Sequence, residues 1–254
     1  MLKSILKAGV TAACLTGATS AMAQDFDLSN MSDDQRAAFG EAVRDYLLTN
    51  PQVIMDAVAK LEEMEAQQQV QVDSALVETH KDALLNDGYS WVGGNPDGDF
   101  TIVEFMDYRC GYCRKAAPEV TELVEKDGNI RLIVKEFPIL GDASMISSRF
   151  AIATQIVAGD EAYEQVHEAL ISLEGNPGEA QLQRLAETFG FDYDAVKAEM
   201  DSEEVTRRIT ETRALAQAMQ ISGTPSFVFG TEMVRGYAPL AAMEQIVAQA
   251  RSAN

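Results

Sequence analysis

A pair of cysteines two residues apart, Cys110-Gly111-Tyr112-Cys113, constrains this chain more than any other feature. It follows an apolar run, Phe100 to Met106, and precedes a segment with helical patterning from Arg114 to Lys126. A strand that turns into a helix at such a pair places the first sulfur at the helix N-terminus. There the unpaired N–H groups and the positive dipole end favour a thiolate over a thiol. Cys110 is therefore the candidate nucleophile. Cys113, one turn further in, can attack a mixed disulfide formed on the first sulfur and is the candidate resolving thiol. The spacing alone is equally that of a structural disulfide or half of a metal site.

Three further positions narrow the choice. Pro118 lies inside the helical segment, where it should kink it. Glu104 stands six residues before Cys110, with Ile102 and Met106 on its own face of a strand that is apolar on both faces. Far downstream, Ile221-Ser222-Gly223-Thr224-Pro225 reads as a turn and Ser226-Phe227-Val228-Phe229 as a strand. Strand acid, C-x-x-C, kinking proline and a later Gly-Thr-Pro before a strand together resemble the thioredoxin superfamily over about residues 88 to 254. That resemblance implies a cis-proline at Pro225 facing the cysteine pair, and a substrate segment paired by the Thr224 backbone. It implies that Gly111 and Tyr112 contact substrate and set the redox poise, and that Glu104 exchanges a proton with Cys113 through a water. No cofactor is implied, because the two sulfurs carry the electrons.

Residues 1–23 read as a secretory signal peptide. Lys3 and Lys7 open it, Ala8 to Ser20 form a short apolar core, and Ala21-Met22-Ala23 is an A-x-A cleavage site. Cys14 does not suit lipidation, since Thr11 stands where a lipoprotein signal takes a large aliphatic residue. Cleavage would leave Cys110 and Cys113 as the only cysteines, which excludes a disulfide framework. No later stretch reaches the roughly 18 apolar residues needed to cross a bilayer. These points predict a soluble protein of the periplasm with no membrane insertion. Forty acidic against 20 basic residues, a net charge of −20, argue against nucleic acid or an anionic membrane as partner.

Residues 24–87 read as an N-terminal helical region. Ser32-Asp33-Asp34-Gln35 is a capping box, and Asn50 before Pro51 reads as the cap of a second helix. Ile54, Val58 and Leu61 begin a heptad seam that breaks at the polar residues Glu65 to Gln71. A helix pair with so few large apolar residues either packs on the rest of the chain or assembles with copies of itself. The narrow apolar stripe favours self-assembly. The segment Leu47 to Val53 resembles the start of ScsC-like proteins, a DsbA-like branch in which a helical stalk makes trimers. That resemblance implies a homotrimer here.

Ile130 to Phe137 reads as a second parallel strand. Helical patterning follows from Ser144 to Gln220, broken near Gly159, Gly175 to Gly178 and Gly190. This insertion, about 143–220, and Lys135-Glu136-Phe137-Pro138-Ile139-Leu140-Gly141 resemble the DsbA-like family. The predicted fold class is therefore α/β: a thioredoxin fold with an inserted helical domain over residues 88–254, preceded by the helical stalk. A hairpin at Gly230-Thr231 and a closing helix from Ala238 to Arg251 complete it. His80 and His167 read as surface helix residues, and the 11 methionines as core filling.

The expected function is a thiol–disulfide oxidoreductase acting on exported proteins with non-native disulfides. Thr224 before Pro225, and an uncharged Tyr112 where DsbA itself has histidine, resemble disulfide isomerases and reductases. A membrane thiol reductase would then reset the pair. Two alternatives remain open at this point. One is a DsbA-like oxidase. The other, of a different class, is a copper-tolerance protein holding Cu(I) on the two thiolates.

Overall fold

The computed structural model describes residues 30–252. The signal-peptide reading of residues 1–23, with Cys14, lies outside the described residues. Those that are described fall into two compact units, one through Lys60 and one from Leu61 onward.

The first unit comprises α1 (Asp33–Thr49) and the start of α2 (Gln52–Thr79). The capping box forms as read: Gln35 N–H donates to Ser32 Oγ at 3.3 Å, and Ser32 N–H donates to Gln35 Oε1 at 3.0 Å. Asn50 does not cap α2. Its side chain turns back and donates to the Tyr46 carbonyl at 2.9 Å, closing α1 instead. No residue of α1 is buried.

The second unit is a five-stranded sheet in the order β1-β3-β2-β4-β5. The strands are β1 (Trp91–Gly94), β2 (Phe100–Met106), β3 (Ile130–Glu136), β4 (Ser226–Phe229) and β5 (Glu232–Arg235). β2 and β3 are parallel and the other pairs antiparallel. The central strands are apolar on both faces because helices cover both. One face, with Ile102 and Met106, packs under α4 (Gly111–Asp127) and α10 (Leu240–Ser252). The other, with Val103, Phe105 and Ile133, packs under Leu215 and Met219 and under Val77 of α2. Between β3 and β4 run five helices: α5 (Asp142–Ala158), α6 (Asp160–Ser172), α7 (Glu179–Phe189), α8 (Tyr193–Glu199) and α9 (Glu203–Ala218). Their breaks coincide with the glycines read from the sequence. The α8–α9 break does not: it is set by the Ser202 hydroxyl, which accepts from Val205 N–H at 3.1 Å.

The unit boundary falls inside α2, well before residue 87, where the sequence reading placed it. Side chains that tie residues 61–87 to the sheet explain the difference. Asp73 forms a bidentate pair with Arg235 of β5 at 2.5 and 2.8 Å. Val77 and Leu84 are buried, and α3 (Lys81–Leu85) ends against β3. Lys135 is wholly buried; its ammonium donates to the Ala83 carbonyl at 2.9 Å and to Asp87 at 2.6 Å. Among the described residues no helix is long and apolar enough to cross a membrane.

Candidate active site

Cys110 is the N-cap of α4, in an extended conformation that lets the chain leave β2 and enter the helix. The loop between is fastened by Asp107, whose carboxylate accepts from Arg109 N–H at 2.8 Å and from Ile139 and Leu140 N–H at 2.8 and 3.0 Å. One fully buried acid thus ties the cysteine loop to the chain leaving β3. Pro118 sits within α4 and withholds one helical hydrogen bond.

The downstream Gly-Thr-Pro reaches the same place. The Thr224–Pro225 peptide is cis, and the Cys110 thiol donates to the Thr224 carbonyl at 3.1 Å. Pro225 is buried and Thr224 half-buried beside the sulfur. Gly111 and Tyr112 are exposed, and the Tyr112 ring stacks on Tyr237 at 6.2 Å. Five of the sequence-predicted positions therefore surround one reactive edge.

The other two lie beneath it. Cys113 is 1% exposed and Glu104 6% exposed, on the face of β2 that α4 covers. Both line a single cavity of about 900 Å³. Glu104 makes no side-chain hydrogen bond or ion pair, and burial alone pushes its pKa up to about 8. Burial, and then the charge of Glu104, push the Cys113 thiol well above its ordinary value. The arrangement is a first sulfur just under the reactive edge, 8% exposed, and a protonated second sulfur beneath it. Beside the second lies a carboxyl whose pKa of about 8 leaves a minority carboxylate near neutral pH, the form that can take its proton.

Sequence reasoning missed a second buried group next to this one. Glu136, at the end of β3, accepts from Tyr108 and Tyr163 hydroxyls at 2.7 Å each and from Ser148 at 2.6 Å. Burial raises its pKa to about 7 against those three donors. Tyr108 also meets His167 Nδ1 at 3.0 Å. Since the Tyr108 proton goes to Glu136, the network assigns the Nδ1–H tautomer to His167. His167 is thus not a surface residue as read. Its ring stacks near Trp91 and Tyr163, and burial drives its pKa down to about 4. The signal available was Glu136 at the end of a strand whose middle is apolar, but Arg131 and Lys135 in the same strand mask it, and its partners are far off in sequence.

The Glu104 assignment has a measurable consequence. An acid whose folded pKa is raised costs nothing below its unfolded value, near 4.5, where both states hold the proton. Between there and about 8 the unfolded chain ionises and the folded one does not, so stability falls as pH rises, by roughly 1.4 kcal/mol per unit. Glu104→Gln should therefore match the parent near pH 4 and exceed it by a few kcal/mol above about pH 8. Glu136 titrates in both proteins and cancels in the difference. Urea unfolding at several pH values checks this; parallel stability curves would show that Glu104 is not held neutral.

Comparison with known proteins places these observations in a family. The DSBA-like thioredoxin domain matches residues 101–248, more than half of the chain. The Copper resistance protein ScsC N-terminal domain matches residues 35–68. A thioredoxin-like oxidoreductase from Silicibacter pomeroyi is 40% identical, with a TM-score of 0.64 over 68% of this chain and 98% of that one. ScsC of Proteus mirabilis, in a transitional conformation, is 22% identical and shares the fold, with a TM-score of 0.64 over 88% of this chain and 100% of that one. Among curated proteins, the Na(+)/H(+) antiporter NhaA 3 of Salinispora tropica is 29% identical over 136 residues, which are 54% of this chain and 21% of the antiporter. The chain thus spans about a fifth of the length of the curated relatives it matches.

Proposed function

The chain belongs to the DSBA-like thioredoxin domain family, and from that premise we propose a thiol–disulfide oxidoreductase of exported proteins that works as an isomerase or reductase. The observation that carries the reading is the pairing of an N-cap sulfur held against a cis-proline loop with a buried thiol beside an unpartnered acid.

In this reading the Cys110 thiolate attacks one sulfur of a substrate disulfide. A Cys110–substrate disulfide forms, the substrate bond breaks, and the other substrate sulfur leaves as a thiolate. Two outcomes follow. The freed thiolate attacks a different disulfide of the client, the client thiolate released there attacks the Cys110–substrate disulfide, and Cys110 leaves as a thiolate, so the client is reshuffled with no net change of oxidation state. Alternatively Cys113 passes its proton to the Glu104 carboxylate and attacks Cys110. The substrate is then released reduced and the pair is left as a disulfide. A membrane thiol reductase returns two electrons to complete that cycle. The extended client segment lies along the Thr224 backbone, and Gly111 and Tyr112 border it.

Isomerase or reductase poise is supported by the absence of a cation beside Cys110 at position 112. We expect a potential nearer about −180 mV, as for protein disulfide isomerase, than DsbA's about −120 mV. Tyr112→His should move it in the oxidising direction by about 30 mV, because an imidazolium stabilises the reduced thiolate. Equilibration with glutathione measures the shift; a move to more negative potential would contradict the argument. Periplasmic placement rests on the signal-peptide reading of residues 1–23. The stalk is proposed to make a homo-oligomer, in keeping with the trimer implied by its ScsC-like start. Holding Cu(I) on both sulfurs would require Cys113 to stay ionised in a buried position, which burial opposes. Exchange chemistry is the better use of the site.

A further inference from the structure

The cavity above Glu104 opens as a groove between α4 and α6, away from the Cys110 edge, and the exchange reaction leaves it unexplained. Its walls are apolar, with Met106, Val120, Val124, Leu132 and Ile171 among them, and Trp91 closes one end. Five glutamates also line it: Glu122 and Glu125 from α4, Glu164 and Glu168 from α6, and Glu174 beyond. None of the five makes an ion pair. The crowding is felt at Glu164, whose pKa is raised by partial burial and then by Glu168 and Glu161.

The groove has almost no positive charge of its own. His167 lines it but stays neutral, its Nδ1 turned to Tyr108. Arg114 is the one base in the lining, and its guanidinium is spent on the carbonyls of Tyr108 and Leu173. At the floor stands Glu104, 94% buried and without a partner, where a buried carboxyl ordinarily has one. An acidic rim alone would be a solvated surface. An unpartnered carboxyl at the bottom of an apolar groove under that rim, with an indole ring beside it, has the chemistry to receive a cation on an apolar stem.

We propose that this groove binds an organic ammonium on a short apolar stem, the charge directed to Glu104 and the stem lying along Val120, Val124 and Leu132. A free alkylamine and a lysine side chain of a client polypeptide carry the same chemistry. Both fit within about 900 Å³. The inference does not depend on the exchange reading, since binding is a property of the resting reduced protein.

Titration calorimetry on the reduced full chain, at about pH 8.5 and low salt, tests it with three probes: hexylammonium, hexanol and the tripeptide acetyl-Ala-Lys-Ala-amide. An alkylammonium stays charged there, as lysine does. Hexylammonium should bind at least tenfold more tightly than hexanol. Glu104→Gln should remove most of that preference. The exposed double variant Glu164→Gln, Glu168→Gln should weaken hexylammonium several-fold, leave hexanol unchanged and leave insulin reduction unchanged. Tighter binding of the tripeptide than of hexylammonium assigns the site to client lysines, and weaker binding assigns it to free amines. Equal binding of hexylammonium and hexanol, no binding of either ammonium, or an ammonium affinity indifferent to both variants would overturn the proposal.

Discussion

Cys110→Ser should abolish thiol–disulfide exchange, leaving insulin reduction at the uncatalysed rate, whereas Cys113→Ser should accumulate mixed disulfides with client proteins. The asymmetry follows from placement. The Cys110 sulfur faces the Thr224 carbonyl, at the edge where the proposed client segment would lie. Cys113 lies a helical turn deeper, buried and with its thiol pKa raised, so it meets only a disulfide already formed on its neighbour. Without it the Cys110–substrate bond has no internal route of release. Mass spectrometry of trapped species should find the link at Cys110. Turnover of insulin by Cys113→Ser at the parent's rate would reverse the assigned order.

Removing residues 24–60 should turn the proposed homo-oligomer into a monomer that reduces insulin as well as the parent does. It should also reshuffle scrambled ribonuclease at least about tenfold more slowly. Linked catalytic domains raise the effective concentration of thiolate around a bound misfolded client, and reshuffling needs repeated attack where reduction needs one. The stalk has the surface for such linkage: Tyr46, Leu48, Ile54, Met55 and Val58 are all exposed. The cut belongs at Lys60 and not at Asp87. Asp73 is the first buried residue of the described chain, and taking away residues 61–87 would also strip Val77, Leu84 and the Asp87 partner of Lys135. A wholly buried lysine left without its carboxylate costs on the order of 3–5 kcal/mol, and loss of folding would be mistaken for loss of isomerisation. Light scattering on both proteins, with both assays, decides the matter. A monomeric parent, or a truncation that isomerises equally, would remove the stalk from the account.

The reactive edge was legible because its parts are local patterns. A buried strand running into C-x-x-C fixes Glu104, Cys110 and Cys113 relative to one another through strand and helix periodicity alone. The insertion helices were legible for the same reason, their breaks being glycines that end helices. What escaped depends on partners distant in sequence. β1 ends in Gly93-Gly94 and lacks the patterning of a strand, yet it pairs with β3, and a Cβ at Gly93 would lie 2.1 Å from the Trp91 ring. Glycine is there to let that indole fold over its own strand. His167 looks like a surface residue until Trp91 and Tyr163 are brought beside it. Asn50 has the right chemistry to cap α2, but its amide N–H donates to the Tyr46 carbonyl one turn back in α1 instead. The ties of residues 61–87 to the sheet are not legible in the sequence, since only the fold shows that Asp87 and Ala83 hold the charge of Lys135.

The central claim is that Cys110 and Cys113 form a reversible disulfide that exchanges with thiols at an isomerase-like potential. Equilibrating the mature protein across a series of glutathione buffers, quenching with an alkylating agent and weighing the products reads this directly. The account predicts one two-electron transition to an intramolecular Cys110–Cys113 disulfide with a midpoint near about −180 mV. A pair that stays dithiol across the whole range, or that yields only a glutathione adduct on Cys113, would contradict it.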